Sequence, residues 1–187
     1  MTDGVTASTD GGTPSAWVLR FKHLIPAGGR VLDLACGTGR HSRLLADCGH
    51  PVTAVDIDAS GLAGLRSDPR IEIRQLDLET GTWPFTGEQF AAVIICNYLH
   101  RPHFSWLVDS LLPGGVLLME TFAQGNEAWG GPRNPDFLLA PGELLSAFST
   151  RLQVVAYEHG LELQPKPAIR QRICAINAAG CAALSVT

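Results

Sequence analysis

Val31-Leu32-Asp33-Leu34-Ala35-Cys36-Gly37-Thr38-Gly39-Arg40 is the stretch that decides the fold. Val31, Leu32 and Leu34 suit a strand covered on both faces, as in a parallel sheet, and that strand runs directly into a turn with two glycines. Gly37 and Gly39 allow a sharp turn and let a ligand lie against bare backbone. From His41 to Cys48 the apolar residues Leu44, Leu45 and Cys48 recur at helical spacing, which predicts a helix. The free N–H groups of that helix's first turn would face whatever sits over the glycines. This is the pattern of a nucleotide-type pocket.

A dinucleotide fingerprint would read G-x-G-x-x-G, but Gly37-Thr38-Gly39-Arg40-His41-Ser42 lacks the third glycine. Asp33, within the strand, would oppose a bound pyrophosphate and instead suits a cation. With Asp33 and the Cys36-Gly37-Thr38-Gly39 turn, the stretch resembles motif I of class I S-adenosylmethionine-dependent methyltransferases. The ligand of that family carries an ammonium and a sulfonium. The resemblance implies that Asp33, Ala35, Gly37 and Gly39 hold its methionine portion. It covers about Arg30 to Ile176, and the Cys36–Ser42 turn together with the short chain resembles the group that includes tellurite-resistance methyltransferases.

A chain of 187 residues with 45% hydrophobic and 17% charged residues fits one globular domain with a sizeable core. Met1–Ser15 has no basic cluster followed by an apolar core, so it does not read as a secretory signal. The expected organisation is a disordered lead over 1–14, a catalytic domain over 15–177 and a tail over 178–187. Five cysteines, odd in number and without a C-x-x-C pair, suggest reduced thiols in a cytoplasmic protein with no metal site. No apolar run is long enough to span a bilayer. A net charge of −4 gives no sequence-wide attraction to nucleic acid, leaving only a local basic patch open. A monomer or homodimer acting on a small-molecule acceptor is the expectation.

Trp17, Val18, Phe21, Leu24 and Ile25 recur at helical spacing behind Ser15, a plausible N-cap. In class I methyltransferases a helix placed there often covers the cofactor as a lid, so Trp17 either faces substrate or packs the helix onto the body. Val52–Val55 reads as the second strand. Asp56 follows at its carboxyl end, the edge where open α/β sheets bind ligands. By resemblance to motif II, Asp56 accepts the ribose hydroxyls and Ile57 offers an apolar face to adenine. Asp58 reads as the cap of a helix over Ala59–Arg66. The third strand, Ile71–Leu76, ends at Asp77, where the family places an acid near the adenine amino group, with Leu78 offering its backbone N–H.

Phe90–Ile95 is apolar throughout and therefore central. It leads to Asn97, Tyr98, His100 and His103 at the motif IV position, where the family places groups that face the transferred methyl. Asn97-Tyr98-Leu99-His100 does not match the N-P-P-Y type, so amino-methylating specificity is not transferred. The resemblance puts Asn97 at the cofactor and Tyr98 at the substrate. His100 and His103 are the candidate bases, because imidazole titrates near neutral pH, although a thiol or soft-anion acceptor would need none. Phe104–Leu112 predicts a helix, Pro113–Gly115 a turn and Val116–Thr121 the fifth strand.

The irregular stretch Phe122–Ala140 carries Trp129, Arg133 and Phe137 and is expected to cover the substrate. A helix over Pro141–Phe148 follows, then strands Leu152–Tyr157 and Ile169–Ile176. The linker between those strands has no room for a helix, so the pair should be antiparallel. That ending is the distinguishing topology of class I methyltransferases, and the resemblance implies a Rossmann-like α/β sheet of seven strands, order 3-2-1-4-5-7-6, with the last strand antiparallel and helices on both faces. The resulting expectation is methyl transfer from S-adenosylmethionine to a small molecule by in-line displacement. A nicotinamide dehydrogenase, a non-catalytic partner subunit of another methyltransferase, and an enzyme acting on RNA or protein stand as alternatives.

Overall fold

The computed structural model describes residues 12–178. Most of the expected lead and tail, and Cys181, lie outside them. Seven strands form one sheet in the order β3-β2-β1-β4-β5-β7-β6. They are β1 Val31–Leu34, β2 Val52–Asp56, β3 Ile71–Gln75, β4 Phe90–Cys96, β5 Leu111–Phe122, β6 Gln153–Glu162 and β7 Ala168–Ile176. The first five run parallel, and β7 is antiparallel to both of its neighbours. The expected order and hairpin ending are therefore present. Strand order reverses between β1 and β4, and in open α/β sheets the crevice at such a reversal is where ligands bind.

Two apolar layers clothe the sheet. Val31, Val52, Ala92, Ile94 and Leu118 pack on one face with Trp17 and Phe21 of α1 (Ala16–Phe21), Leu45 of α2 (Arg40–Asp47) and Leu62 of α3 (Ala59–Ala63). Leu32, Leu34, Val93, Ile95 and Leu117 pack on the other with Leu107 of α4 (Phe104–Asp109), Leu144 and Phe148 of α5 (Glu143–Phe148), and the loop residues Trp83 and Phe85. Phe90 to Ile95 are all buried, as a central strand requires.

Several elements depart from the sequence reading for local reasons. α2 buries His41, Ser42, Leu45 and Ala46, while Cys48 is exposed, because the helix meets the sheet one residue round from the expected stripe. α1 ends at Phe21 and tightens into a 3-10 turn over Lys22–Leu24. α4 is shorter than expected, since Leu111 already pairs with Phe90 as the start of β5. Phe90 opposes Leu111 and Ala92 opposes Val116, so Leu112–Gly115 bulges from the ladder, with Gly114 at φ +80°. The hairpin runs further than the pattern suggests because Gly160, within the expected linker, pairs with Arg170.

Phe122–Ala140 is an ordered loop. Ala123 bridges to Leu139, and Asn126, 1% exposed, accepts the Ile169 N–H and donates to the Gly131 carbonyl, both at 3.0 Å. Among the described residues no helix is long and apolar enough to cross a membrane, and no group of three potential metal ligands occurs.

Candidate active site

Ala35 and Asn97 are the residues that follow β1 and β4, on the two sides of the strand-order reversal. Among the described residues they are the non-glycine residues with positive φ, +52° and +61°. A side chain in that region costs about 1–2 kcal/mol, so the strain sits where the sheet opens its crevice. The backbone holds both: Cys36 N–H donates to the Val55 carbonyl (3.0 Å) and Asn97 N–H to the Glu120 carbonyl (2.9 Å).

Asp56 ties the glycine turn to β2. Its Oδ2 accepts the Gly37 N–H at 2.7 Å and its Oδ1 accepts the Asp58 N–H at 3.0 Å. Each carboxylate oxygen has two lone pairs, so each keeps one for a further donor. Ile57, directly after it, is 62% exposed, which is unusual for an isoleucine and leaves an apolar face at the edge. Asp58 caps α3 as expected, accepting from Ser60 N–H. Asp77 accepts the Glu79 N–H at 2.9 Å in a local turn, and the Leu78 side chain is buried. The charges of Glu79, Asp77 and Asp56, behind the larger effect of burial, push the Tyr98 hydroxyl's pKa up, which places these acids around one corner.

Asp33 lies beneath this corner. Val31 packs toward α2, so Asp33, two residues on, points the same way and meets Ser42, whose hydroxyl donates to Oδ2 at 2.6 Å. Asp33 is 1% exposed, and burial raises its pKa to about 7 against the opposing bonds from Ser42. The carboxylate thus underlies the glycine turn and does not open to solvent.

Gly61, which the sequence reading passed over, presses on the same turn. A Cβ there would stand 2.7 Å from the Gly37 carbonyl oxygen and 3.1 Å from its carbon. Those are backbone atoms fixed by Asp56, so α3 would have to move. Gly61→Ala is expected to cost about 1–3 kcal/mol of overpacking strain. Thermal unfolding of the variant against the parent checks this.

Two expected site residues, Trp17 and His103, are corrected. Trp17 does not face substrate: it is 3% exposed in the α1 side of the core, and its Nε1 donates to the Ile173 carbonyl at 3.1 Å. α1, capped by Ser15, lies on the sheet, and His41 Nε2 accepts the Ser15 N–H at 3.1 Å. His103 is 4% exposed, with its ring edge-on to Trp83 and tilted toward Trp106. Burial, and then the charge of His100, pull its pKa down to about 4, so it is a poor base at neutral pH.

Trp129 and Arg133 lie on the exposed outside of the loop. An open groove of about 340 Å³ beside the site is lined instead by Glu79, Leu99, His100, Arg101, Pro102, Asp136 and Phe137. His100 and Phe137 therefore reach this groove. Tyr98, His100 and His103 also border a small internal cavity with Leu34, Ile95 and Met119.

Arg101, not singled out from the sequence, braces the loop. It pairs with Glu143 at 2.6 Å and donates to the carbonyls of Asp136 (2.6 Å) and Leu138 (2.9 Å). Arg170 was also missed. It enters from β7 and donates to Asn97 Oδ1 at 2.5 Å.

Residues 31–115 match the family described as Methyltransferase domain. The chain is 36% identical over 117 residues to YqeM of Bacillus subtilis (strain 168), an inferred methyltransferase, covering 56% of this chain and 47% of that protein. It is 33% identical over 123 residues to malonyl-[acyl-carrier protein] O-methyltransferase of Pectobacterium atrosepticum, covering 59% and 48%. The matches thus span about half the length of these curated relatives. Among solved structures, TehB from Haemophilus influenzae superposes with TM-score 0.70 at 19% identity, covering 86% of this chain and 61% of that one. An S-adenosylmethionine dependent methyltransferase from Mesorhizobium loti superposes with TM-score 0.67 at 19% identity, covering 87% and 98%. The family match over residues 31–115, the strand order and the turn at Gly37 agree, and the chain shares the fold of the S-adenosylmethionine dependent methyltransferase from Mesorhizobium loti.

Proposed function

We propose that this domain transfers a methyl group from S-adenosylmethionine to a small-molecule acceptor by in-line displacement. The observation that carries the reading is the Asp56 carboxylate, pinned by Gly37 and Asp58 N–H groups between a glycine turn and an exposed isoleucine. Its free lone pairs suit the two hydroxyls of a ribose. Ile57 then offers adenine a face, Asp77 accepts from its amino group and the Leu78 N–H serves the ring. The methionine portion lies over Ala35, Gly37 and Gly39 beside Asn97, with Asp33 beneath as the charge that favours a cation. The bound cofactor supplies an electrophilic methyl on a sulfonium.

The remaining task of the protein is to hold the acceptor in line, which contributes on the order of 7–11 kcal/mol in well-oriented reactions. The groove at Leu99, His100, Arg101 and Phe137 is the proposed acceptor site. His100 serves as base when the acceptor arrives protonated on oxygen or nitrogen. Malonyl-[acyl-carrier protein] O-methyltransferase and ubiquinone biosynthesis O-methyltransferase among the relatives are named for non-nucleic-acid acceptors, which supports the same class here.

The test is release of S-adenosylhomocysteine in the presence of thiols, phenols and metalloid oxyanions in turn. Acceptor-dependent release supports the reading, and release with none of them counts against it. The loop offers a second check. Gln124 N–H donates to the Leu139 carbonyl and Leu139 N–H to the Phe122 carbonyl, so the ends of the loop already meet. Excising 124–136 with a short glycine bridge is expected to leave cofactor binding within a few-fold and abolish turnover, measured by calorimetry and the release assay.

A further inference from the structure

At the carboxyl end of β4 the orientation of one amide is fixed by chemistry. Arg170 Nη1 donates to the Asn97 side chain at 2.5 Å. A guanidinium only donates, so the Asn97 atom facing it is Oδ1, and the Nδ2 hydrogens point to the opposite side of the amide. No acceptor among the described residues takes those hydrogens. Asn97 itself is locked in place by its positive φ and its N–H bond to Glu120.

Arg170 is half-buried, with its guanidinium 4.2 Å from the Phe122 ring centroid. Its positive charge is only partly answered. Glu162 Oε2 lies 3.2 Å from Nε, yet the N–H does not aim at it, and Nε is buried without a hydrogen bond. The carboxylates nearby are engaged by Arg172: Glu120 at 2.9 Å, Glu158 at 3.4 Å, and the other oxygen of Glu162. A half-buried cation that fixes an outward amide donor at the crevice is arranged for an oxyanion.

We propose that Arg170 and Asn97 form a carboxylate-binding site at the end of β4, with Arg170 fixing the amide so that its N–H groups meet the anion. The anion has two sources: the carboxylate of the methionine portion of the cofactor, or an acidic methyl acceptor. The inference rests on the proposed methyltransferase reading for its biological meaning, but the site itself is testable without it.

The decisive variant is Asn97→Asp. It keeps an oxygen for Arg170, and so keeps the structural bond, while replacing the outward donor with an acceptor. Arg170→Met removes the cation and serves as the second variant should the first unfold. Calorimetry compares S-adenosylmethionine with its decarboxylated analogue on all three proteins. It also compares benzoate with benzamide, on free protein and on protein saturated with S-adenosylhomocysteine.

If the cofactor supplies the anion, S-adenosylmethionine binding drops at least tenfold in both variants and binding of the decarboxylated analogue does not. If the acceptor supplies it, S-adenosylmethionine binding is unchanged, while the parent prefers benzoate to benzamide and the variants lose that preference. Either result supports the site. Unchanged S-adenosylmethionine affinity in folded variants together with no benzoate preference in the parent overturns it, leaving Arg170 as a packing residue. Failure of the parent to bind S-adenosylmethionine contradicts the broader reading, and the benzoate arm on free protein then decides this one.

Discussion

Replacing Asp56 by alanine is expected to weaken S-adenosylmethionine binding about 100-fold, close to 3 kcal/mol, while the protein remains folded. The magnitude follows from two hydrogen bonds to an ionised group, each contributing about 1.5–3 kcal/mol, with the lower end appropriate at a partly exposed edge. Part of the loss comes from the protein itself. The Gly37 N–H, bonded to Oδ2 at 2.7 Å, loses its acceptor, so the turn that should lie under the methionine portion is freed. Asp56→Asn separates these contributions. The amide oxygen keeps one acceptor for a backbone N–H but presents donors where the ribose hydroxyls need acceptors, so its affinity should fall between that of the parent and the alanine variant. Calorimetric titration of the three proteins checks the order. Equal affinity in all three would move the adenosine away from β2.

Asp33→Asn is expected to make the protein more stable above neutral pH and to remove one component of its pH dependence. The folded-state pKa of Asp33, about 7, lies above the ordinary value of 3.8 because burial disfavours the anion. Between those values the native state holds a proton that the unfolded state has released, so this carboxyl's contribution to stability falls as pH rises and levels off above about 7. At about 1.36 kcal/mol per unit the loss amounts to about 4 kcal/mol.

His41 and His103, pulled down to about 3 and about 4 mainly by burial, act in the opposite sense. The unfolded chain protonates them first, so their contribution is full above about 6.5 and is lost as pH falls toward the folded values. Both histidines remain in the variant, so they cancel in the difference. Urea unfolding of the parent and Asp33→Asn from pH 4 to 8 should show a gap that opens with pH in favour of the variant. A constant gap would mean that Asp33 is ionised throughout. The buried anion is retained in the parent at that cost because, on the proposed reading, it favours a cation over the turn, and the variant should bind S-adenosylmethionine more weakly.

The strands and the closing hairpin were legible because their determinants are local, and their order in the sheet followed from the resemblance to class I methyltransferases. The glycine turn, the wholly apolar β4 and the short link before β7 each limit what the chain can do, whatever lies around them. Asp56 and Asp77 were legible as edge residues for the same reason, since a carboxylate directly after a strand has one place to be. Trp17 and His103 were not. An amphipathic helix reads alike whether its tryptophan meets a ligand or the carbonyl of Ile173, and His103 is neutralised by Trp83 and Trp106, whose approach depends on the packing of distant segments.

Arg170 lay in Ile169-Arg170-Gln171-Arg172-Ile173, an alternating strand like many others. Its position beside Asn97 follows only from the antiparallel register that sets Arg170 opposite Phe122. The one available signal was the hairpin itself, because an antiparallel last strand brings its first residues to the edge where the parallel strands end. Gly61 shows the same limit: a glycine inside a short helix becomes meaningful only once the Gly37 carbonyl stands against it.

The most direct measurement is calorimetric titration of the purified protein with S-adenosylmethionine, S-adenosylhomocysteine and NAD. Binding of the first two and not of NAD is the expected result, since the pocket combines a buried Asp33 with a turn that lacks the third glycine of a dinucleotide site. NAD binding, or no binding of S-adenosylmethionine, would contradict the account.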